Sequence, residues 1–434
     1  MRGILRDGWG TVLLFFVLGA ALIGQYVHVT PFETRTHDPG SHVAYLQWME
    51  RRHGIPLDTD CWECAQPAGY YLLAEGVLRA THAAMPERGM PDGRTERILQ
   101  RLAGALALGT LAFWLLAVRV VLRTPYERTL ASALCTFWPT LPIEGAKFGN
   151  DPLLYLLAGA CVWLLLRWRR SGSAASLVAA AGVAGLSVHA KISGFVVVAV
   201  FVASLAGAVV RAPAGERRWP RGGALALAGL AAPLALWAFV LARYKHWTTH
   251  PDFSSTGHKA MDNTWGDFLW VHVRSFAEDP WVHFGKSDAR DEFWNYLLRS
   301  SLFGEYSSGR DAMRVVASLL AAAAAALLLL VAAGLVVSVV RGLRRQDAGH
   351  RELALTVLGF LAFMIVLRLR FPIAPHNDFR FALPIVPCCA AMAAIVASMA
   401  RGRLQRRWPH LAALPGWLVA AFCAASASVT LMWP

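Results

Sequence analysis

The stretch THDPGSHVAYLQWMERRHGIPLDTDCWECAQPAGYYLL, residues 36–73, decides how the rest of the chain is interpreted. It is polar and dense in Asp, Glu, His and Trp, and it directly follows a hydrophobic segment. Nearly everything else in the sequence is apolar and typical of membrane helices. Chemistry is therefore expected in this stretch, although for any single residue a solvated loop between two membrane spans is the plain alternative.

The composition is that of a polytopic membrane protein. Of the 434 residues, 56% are hydrophobic and 16% are charged, whereas a soluble protein has about 25% charged residues. The formal net charge of +14 comes from basic residues in short clusters between apolar runs. That pattern sets membrane orientation, so a nucleic-acid partner is not expected.

A membrane span needs about 20 mostly apolar residues, and the sequence predicts about eleven such segments. The predicted fold class is therefore an all-α polytopic membrane protein. We expect the first segment to be a retained span because it lacks a small-residue cleavage site. The predicted spans are Trp9–Val29, Ile98–Leu122, Thr129–Ile143, Pro152–Leu166, Ala175–Val188, Ile192–Val210, Ala224–Leu241, Val315–Val340, Leu353–Leu367, Phe381–Met399 and Leu411–Leu431.

Two long polar loops interrupt the apolar pattern, at residues 30–96 and 243–310. Within the first, Tyr70–Ala84 has the pattern of an amphipathic helix at the membrane surface. Arginine clusters in the short loops favour a multi-pass plasma (inner) membrane protein with a cytoplasmic N-terminus and both long loops outside. We expect a catalytic module over residues 1–210 and a C-terminal transmembrane region over 211–434.

Four elements meet on the outer face in this topology. They contribute Asp38, the pair Asn150-Asp151, Lys191 and Arg380. Each has a plain alternative: a boundary cation can snorkel, and Asn or Asp at a helix start can be an N-cap. Together they offer two carboxylates, which can act as bases, and two cations, which can hold a phosphate.

The first loop also contains groups that could bind metal or form a disulfide. The side chains that could bind a divalent metal ion are His37, His42, Asp38 and Glu63. Their spacing is not diagnostic of a metal site. The C-x-x-C spacing of Cys61 and Cys64 indicates a local disulfide, or no role. Redox catalysis is less favoured, because no thioredoxin-like βαβ pattern surrounds the two residues.

The order of several short motifs resembles that of the GT-C membrane glycosyltransferases, in particular the lipid-A aminoarabinose transferases and the protein O-mannosyltransferase-like enzymes. The likeness covers residues 9–210 and one motif beyond them. The motifs are D-x-x-x-H-x-x-Y at Asp38, His42 and Tyr45, a turn at Gly54 and Pro56, E-x-x-Q-P-x-x-Y-Y from Glu63 to Tyr71, Asn150-Asp151, His189-Ala190-Lys191, and R-F-x-x-P at Arg380, Phe381 and Pro384.

The resemblance implies a GT-C-like bundle and an inverting hexosyl- or pentosyltransferase. The donor would be a sugar on a polyprenyl phosphate, and the acceptor a glycan, lipid or protein of the cell envelope. Asp38 would deprotonate the acceptor hydroxyl, Asp151 would support the site, and Lys191 and Arg380 would bind the leaving phosphate. The other residues expected to contact substrate are His37, His42, Glu63, Gln66, Tyr70 and Tyr71.

The sequence departs from the aminoarabinose transferases at two positions. Pro39 follows Asp38 where those enzymes have an acidic pair, and Gln66 stands where they have a lysine. The second change removes one expected phosphate contact. A membrane transporter and a non-catalytic lipid-binding or assembly protein of the envelope are the alternatives, although no internal repeat favours a transporter.

Overall fold

Helices account for the regular structure of the described residues. A computed structural model describes residues 8–34, 38–210, 220–244, 264–272, 274, 279–281, 292–304, 313–344, 348–371 and 378–432. Within these ranges there is no β-strand, which agrees with the predicted all-α class. His37 lies outside the described residues, as does most of the second long loop.

Sixteen α-helices are described. The N-terminal half contains α1 Trp9–Val29, α2 Pro39–Arg52, α3 Gly69–Ala80, α4 Gly93–Val121, α5 Pro125–Phe137, α6 Thr140–Gly145, α7 Asp151–Ser171, α8 Ala174–Ala190 and α9 Gly194–Val210. The C-terminal half contains α10 Gly223–Tyr244, α11 Trp265–Leu269, α12 Phe293–Phe303, α13 Arg314–Leu343, α14 Ala348–Arg370, α15 Val386–Arg407 and α16 Leu414–Met432. Short 3₁₀ helices occur at Trp62–Ala65, Phe379–Phe381, Leu383–Ile385 and Pro409–Leu411.

Eight of the described helices are long and apolar enough to cross a membrane, which makes the chain a multi-pass membrane protein. They are α1, α4, α7, α10, α13, α14, α15 and α16. Two of the other predicted spans correspond to α8 and α9, which are apolar and have 17 residues each. That length is the lower limit for a membrane helix, for which about 17 to 25 residues are usual.

The third predicted span, Thr129–Ile143, is not one helix. The chain forms α5, breaks at Trp138, and resumes as α6. Pro139 explains the break because proline disfavours helical backbone in the residue before it, and Trp138 has an extended ψ of 116°. The break turns the polypeptide toward the start of α7, where the polar residues of the site lie.

Close contacts between helices depend on small residues. A Cβ atom on Gly185 of α8 would lie 2.9 Å from the Pro233 ring of α10, so only glycine allows this approach. Gly159 of α7 similarly lies against the buried Trp114 of α4. Helix α15 is the most deeply buried candidate span and α10 the least, so α15 lies at the centre of the bundle.

The first loop folds as a cap with its own apolar core. Helices α2 and α3 pack on each other and on the first turns of α4, around Tyr45, Tyr71 and Phe148. The predicted amphipathic helix Tyr70–Ala84 corresponds to α3, which buries Tyr70, Tyr71, Ala74 and Leu78. The predicted division of the chain at residue 210 remains a prediction.

Candidate active site

An ion pair between two transmembrane segments defines the centre of the site. Asp151 is the first residue of α7 and Lys191 directly follows α8. The Lys191 ammonium Nζ lies 2.6 Å from Asp151 Oδ1, and both side chains are nearly buried, with 10% and 12% of their surface exposed. Lys191 has extended backbone, which interrupts the apolar run between α8 and α9 and turns its side chain away from both helices toward Asp151.

Arg380 brings a second cation to the same place. It belongs to the 3₁₀ helix Phe379–Phe381, which Asp378 caps by accepting the Arg380 backbone N–H at 3.1 Å. The Arg380 guanidinium and the Lys191 ammonium each lie 4.8 Å from the centre of the Phe381 ring. One aromatic ring therefore positions both cations through cation–π contacts.

Asp38 lies at the start of α2 and its carboxylate is exposed. Its backbone is left-handed, with φ 48°, a conformation that Asp tolerates better than most residues. The side chain does not cap its own helix, although Asp is among the preferred N-cap residues. The carboxylate is thus available to another group at the mouth of the site.

Glu63 is half-buried in the 3₁₀ helix Trp62–Ala65, which the Cys61–Cys64 disulfide closes. Burial, together with the charge of Asp38, raises the pKa of Glu63 to about 7, against the opposing effects of Lys191 and Arg380. The charges of Asp38, Lys191 and Arg380 therefore all act on the Glu63 carboxyl group. A carboxyl group with this pKa changes its protonation state near neutral pH.

His42 and Tyr71 lie behind the charged groups. The Nδ1 atom of His42 is 2.7 Å from the Tyr71 hydroxyl, and the Tyr71 ring stacks on Tyr45 at a centroid distance of 3.6 Å. Burial, followed by the charge of Lys191, lowers the pKa of His42 to about 4, so its ring is neutral at physiological pH. Both residues belong to the packed cap.

Gln66 and Gly69 attach the cap to the membrane helices. The Gln66 side-chain oxygen accepts a hydrogen bond from the Asn150 amide at 3.2 Å, immediately before α7 begins. A Cβ atom on Gly69 would lie 2.5 Å from the His189 carbonyl oxygen, so the backbones of α3 and α8 touch where only glycine fits. These two contacts join the segment that follows Glu63 to the helices that carry Asp151 and Lys191.

A second buried ion pair, which was not predicted from the sequence, lies beside the first. Lys147 Nζ lies 2.6 Å from Glu144 Oε1, and Tyr155 donates a hydrogen bond to Glu144 Oε2 at 3.3 Å. Asp378, which precedes Arg380 in the same outer-face segment, is also fully buried. An acid and a base three residues apart in the apolar stretch IEGAK were the available signal for Glu144 and Lys147.

The structure brings Asp151, Lys191 and Arg380 to one end of the bundle, beside Asp38 and Glu63. Tyr70 is buried in the cap, with its ring 5.8 Å from that of Phe148. Among the described residues, no group of three or more His, Cys, Asp or Glu side chains could hold a metal ion. The arrangement offers an exposed carboxylate, a second carboxyl group that titrates near neutrality, and two adjacent cations.

The sequence matches no known protein-family model and no curated protein. The fold, in contrast, matches solved structures. The oligosaccharyltransferase of Archaeoglobus fulgidus, in a complex with Zn and sulfate, superposes with a TM-score of 0.57 at 14% identity, over 96% of this chain and 53% of that one. The same archaeal enzyme, AglB, with an inhibitory peptide and a dolichol-phosphate, gives 0.54 at 13% identity, over 97% and 56%.

ArnT from Cupriavidus metallidurans gives a TM-score of 0.40 at 15% identity, over 92% of this chain and 80% of that one. The chain spans about half the length of the archaeal enzymes that it matches. Its fold is that of the archaeal oligosaccharyltransferase structures.

Proposed function

We propose that the protein is an inverting glycosyltransferase that moves a sugar from a polyprenyl-phosphate donor to a cell-envelope acceptor on the outer face of the membrane. One observation carries the proposal: the buried Lys191–Asp151 pair and Arg380 lie beside exposed Asp38 at one end of a GT-C bundle. The archaeal structure with a dolichol-phosphate supports the donor class, because it has the same fold and contains a lipid phosphate.

The reaction transfers the anomeric carbon between two oxygens. The acceptor hydroxyl attacks this carbon from the side opposite the phosphate, and the bond between the carbon and the phosphate oxygen breaks. The electron pair of that bond leaves with the phosphate, and the hydroxyl proton passes to Asp38. Attack from the opposite side inverts the configuration.

Lys191 and Arg380 would stabilise the charge that develops on the phosphate. Preorganised cations at a developing anion are among the largest contributions to catalysis. The low dielectric at a membrane boundary also strengthens their interaction with phosphate. Asp151 would act as a positioning residue, because its carboxylate holds the Lys191 ammonium at 2.6 Å.

Gln66 has a structural role at the position where the aminoarabinose transferases have a lysine. Its side-chain oxygen is bonded to Asn150, so the residue at this position joins the cap to α7. The phosphate contacts would then come from Lys191 and Arg380.

The test is sugar transfer from a polyprenyl-phosphate-sugar pool by membranes that contain the Asp38→Asn variant. A positioned carboxylate base contributes about 10²- to 10⁴-fold, so transfer should fall at least about 100-fold. Binding of the donor lipid should persist, because asparagine keeps the size of the side chain. Asp58→Asn, in the same loop, is the matched control and should transfer at close to the parent rate.

Transfer by Asp38→Asn at the parent rate would place the base elsewhere, with Glu63 the next candidate. Donor-lipid binding without any transfer by the parent protein would favour the lipid-binding alternative.

A further inference from the structure

A cavity lined by charged residues lies at the C-terminal end of α7, the helix whose first residue is Asp151 of the candidate active site. Its volume is about 520 Å³, within the range of about 300 to 1,000 Å³ that is usual for ligand sites. The described residues that line it are Trp9, Leu116, Arg119, Val120, Arg128, Trp163, Arg167 and Arg170. Four of these eight are arginines, and none is acidic.

The geometry of α7 places this cavity at the other boundary of the membrane. Asp151 opens the helix, and Arg167 and Arg170 lie in its last two turns. At about 1.5 Å per residue, they lie roughly 24 to 29 Å further along its axis. The hydrocarbon core of a bilayer is about 30 Å thick. The cavity therefore lies where lipid headgroups meet the protein, on the face opposite the candidate active site.

Backbone contacts hold two of the arginines at the cavity. Arg170 donates a hydrogen bond to the Val120 carbonyl at 2.8 Å, and Arg128 Nε donates one to the Leu122 carbonyl at 3.1 Å. Both acceptors lie at the C-terminal end of α4, where carbonyl groups have no partner within the helix. Each contact occupies one of the five N–H donors of a guanidinium. The remaining donors can bind an anion.

Aromatic rings hold the other two arginines. The Arg119 guanidinium lies 4.0 Å from the centre of the Trp9 ring, and the Arg167 guanidinium lies 5.6 Å from that of Trp163. Tryptophan is enriched at the boundary between a membrane and water, where its ring lies at headgroup level. The cavity thus combines fixed cations with the aromatic residues typical of that depth.

An anion bound between these guanidinium groups would interact with several positive charges at once. The Glu127 carboxylate, next to Arg128 in the chain, accepts backbone N–H groups of Arg123 and Thr124 in the capping box of α5. It therefore has a structural role at a helix start.

We propose that this cavity binds the phosphate headgroup of an anionic phospholipid. Basic pockets between transmembrane helices are suited to such headgroups, and arginine forks match the geometry of phosphate oxygens. The lining of the cavity also includes the apolar side chains of Leu116 and Val120. An acyl chain can follow this apolar side into the membrane, which a free inorganic anion would not need.

The test is native mass spectrometry of the purified protein in an uncharged detergent, titrated with dioleoylphosphatidylglycerol or dioleoylphosphatidylcholine. We expect one molecule of the anionic lipid to be retained at concentrations where the zwitterionic lipid is not. The double variant Arg167→Gln, Arg170→Gln should bind the anionic lipid roughly 30-fold more weakly, at about fivefold per arginine.

Arg403→Gln combined with Arg407→Gln is the matched control. These exposed arginines lie at the end of α15, outside the cavity lining, and their loss removes the same charge. Affinity should then change less than about twofold, since salt screens distant surface charges. The melting temperature of each variant without lipid shows whether it is folded.

Three results would overturn the proposal. The first is equal retention of the two lipids by the parent protein, a measurement that does not depend on any variant. The second is an equal loss of affinity in both double variants, which would indicate a general effect of surface charge. The third is complete displacement of the lipid by an equimolar amount of inorganic phosphate, which would indicate a site for small anions.

Discussion

The Lys191–Asp151 pair allows a test that separates its structural role from its proposed catalytic role. The perturbation is a double-mutant cycle of Lys191→Met and Asp151→Asn. Methionine keeps the length of the lysine stem, and asparagine keeps the size of the aspartate. Each single variant removes one partner of an ion pair with an N–O distance of 2.6 Å.

The expected cost follows from the burial of the pair. Removing one partner of a buried ion pair costs about 3 to 5 kcal/mol, because it leaves a charge in a medium of low dielectric. Since 10% and 12% of the two side chains stays exposed, water offsets part of this cost, and we expect about 3 kcal/mol for Lys191→Met. The double variant should be less destabilised than the sum of the two single variants, by about 2 kcal/mol.

The assay is reversible unfolding in mixed micelles by increasing sodium dodecyl sulfate, which gives the free energy of unfolding for each variant. Arg79→Met is the matched control, because Arg79 pairs with Glu75 on the exposed side of α3. A surface pair of this kind contributes about 0.5 kcal/mol or less. A coupling energy near zero between Lys191 and Asp151 would refute the buried ion pair.

Binding of a polyprenyl phosphate to the same variants tests the catalytic role. Lys191→Met should weaken binding by at least about tenfold, because a hydrogen bond to a charged group is worth about 1.5 to 3 kcal/mol. Asp151→Asn keeps the cation and should retain most of the binding while transfer slows. Unchanged binding by Lys191→Met would show that the phosphate is held elsewhere.

Two further predictions concern the cap over the site. Glu63 is neutral below its pKa of about 7 and negative above it. The dissociation constant of the parent protein for a polyprenyl phosphate, divided by that of Glu63→Gln, should therefore rise between pH 6 and pH 8; this ratio cancels the titration of the phosphate itself, whose second pKa is about 6. A constant ratio would assign the titration to another group. Gly69→Ala should lower the free energy of unfolding by about 1 to 3 kcal/mol, because its Cβ would lie 2.5 Å from the His189 carbonyl oxygen. Gly76→Ala, on the same helix but with open space around it, should be neutral or stabilising by up to about 1 kcal/mol in the same unfolding assay. Equal effects of the two substitutions would contradict the close contact between α3 and α8.

The long apolar helices were predictable because hydropathy over about 20 residues is a strong signal. The predicted span Trp9–Val29 has the same bounds as α1. The predicted span Thr129–Ile143 was wrong as a single helix, because an average over a window of that length does not register the break that Pro139 causes. Window averages describe composition, whereas a break is decided by one residue.

The site was predictable in part. Topology alone brought Asp151 and Lys191 to one face, because each lies at the end of a span, and the structure joins them at 2.6 Å. Glu144 and Lys147 were missed because they follow an apolar run and look like an ordinary helix boundary. Only three-dimensional packing shows that both are buried, with 2% and 4% of their side chains exposed.

Helix α7 joins the candidate active site to the arginine-lined cavity, so a lipid bound in the cavity can affect the candidate active site. The helix has 21 residues, so its length of roughly 31 Å is close to the thickness of the hydrocarbon core. A headgroup bound at Arg167 and Arg170 would fix how deep the helix lies in the membrane. Because Asp151 begins the same helix and pairs with Lys191, that depth would also set where the proposed donor phosphate meets the Lys191 ammonium. Loss of the anionic lipid should therefore weaken donor binding even though the two sites share no residue.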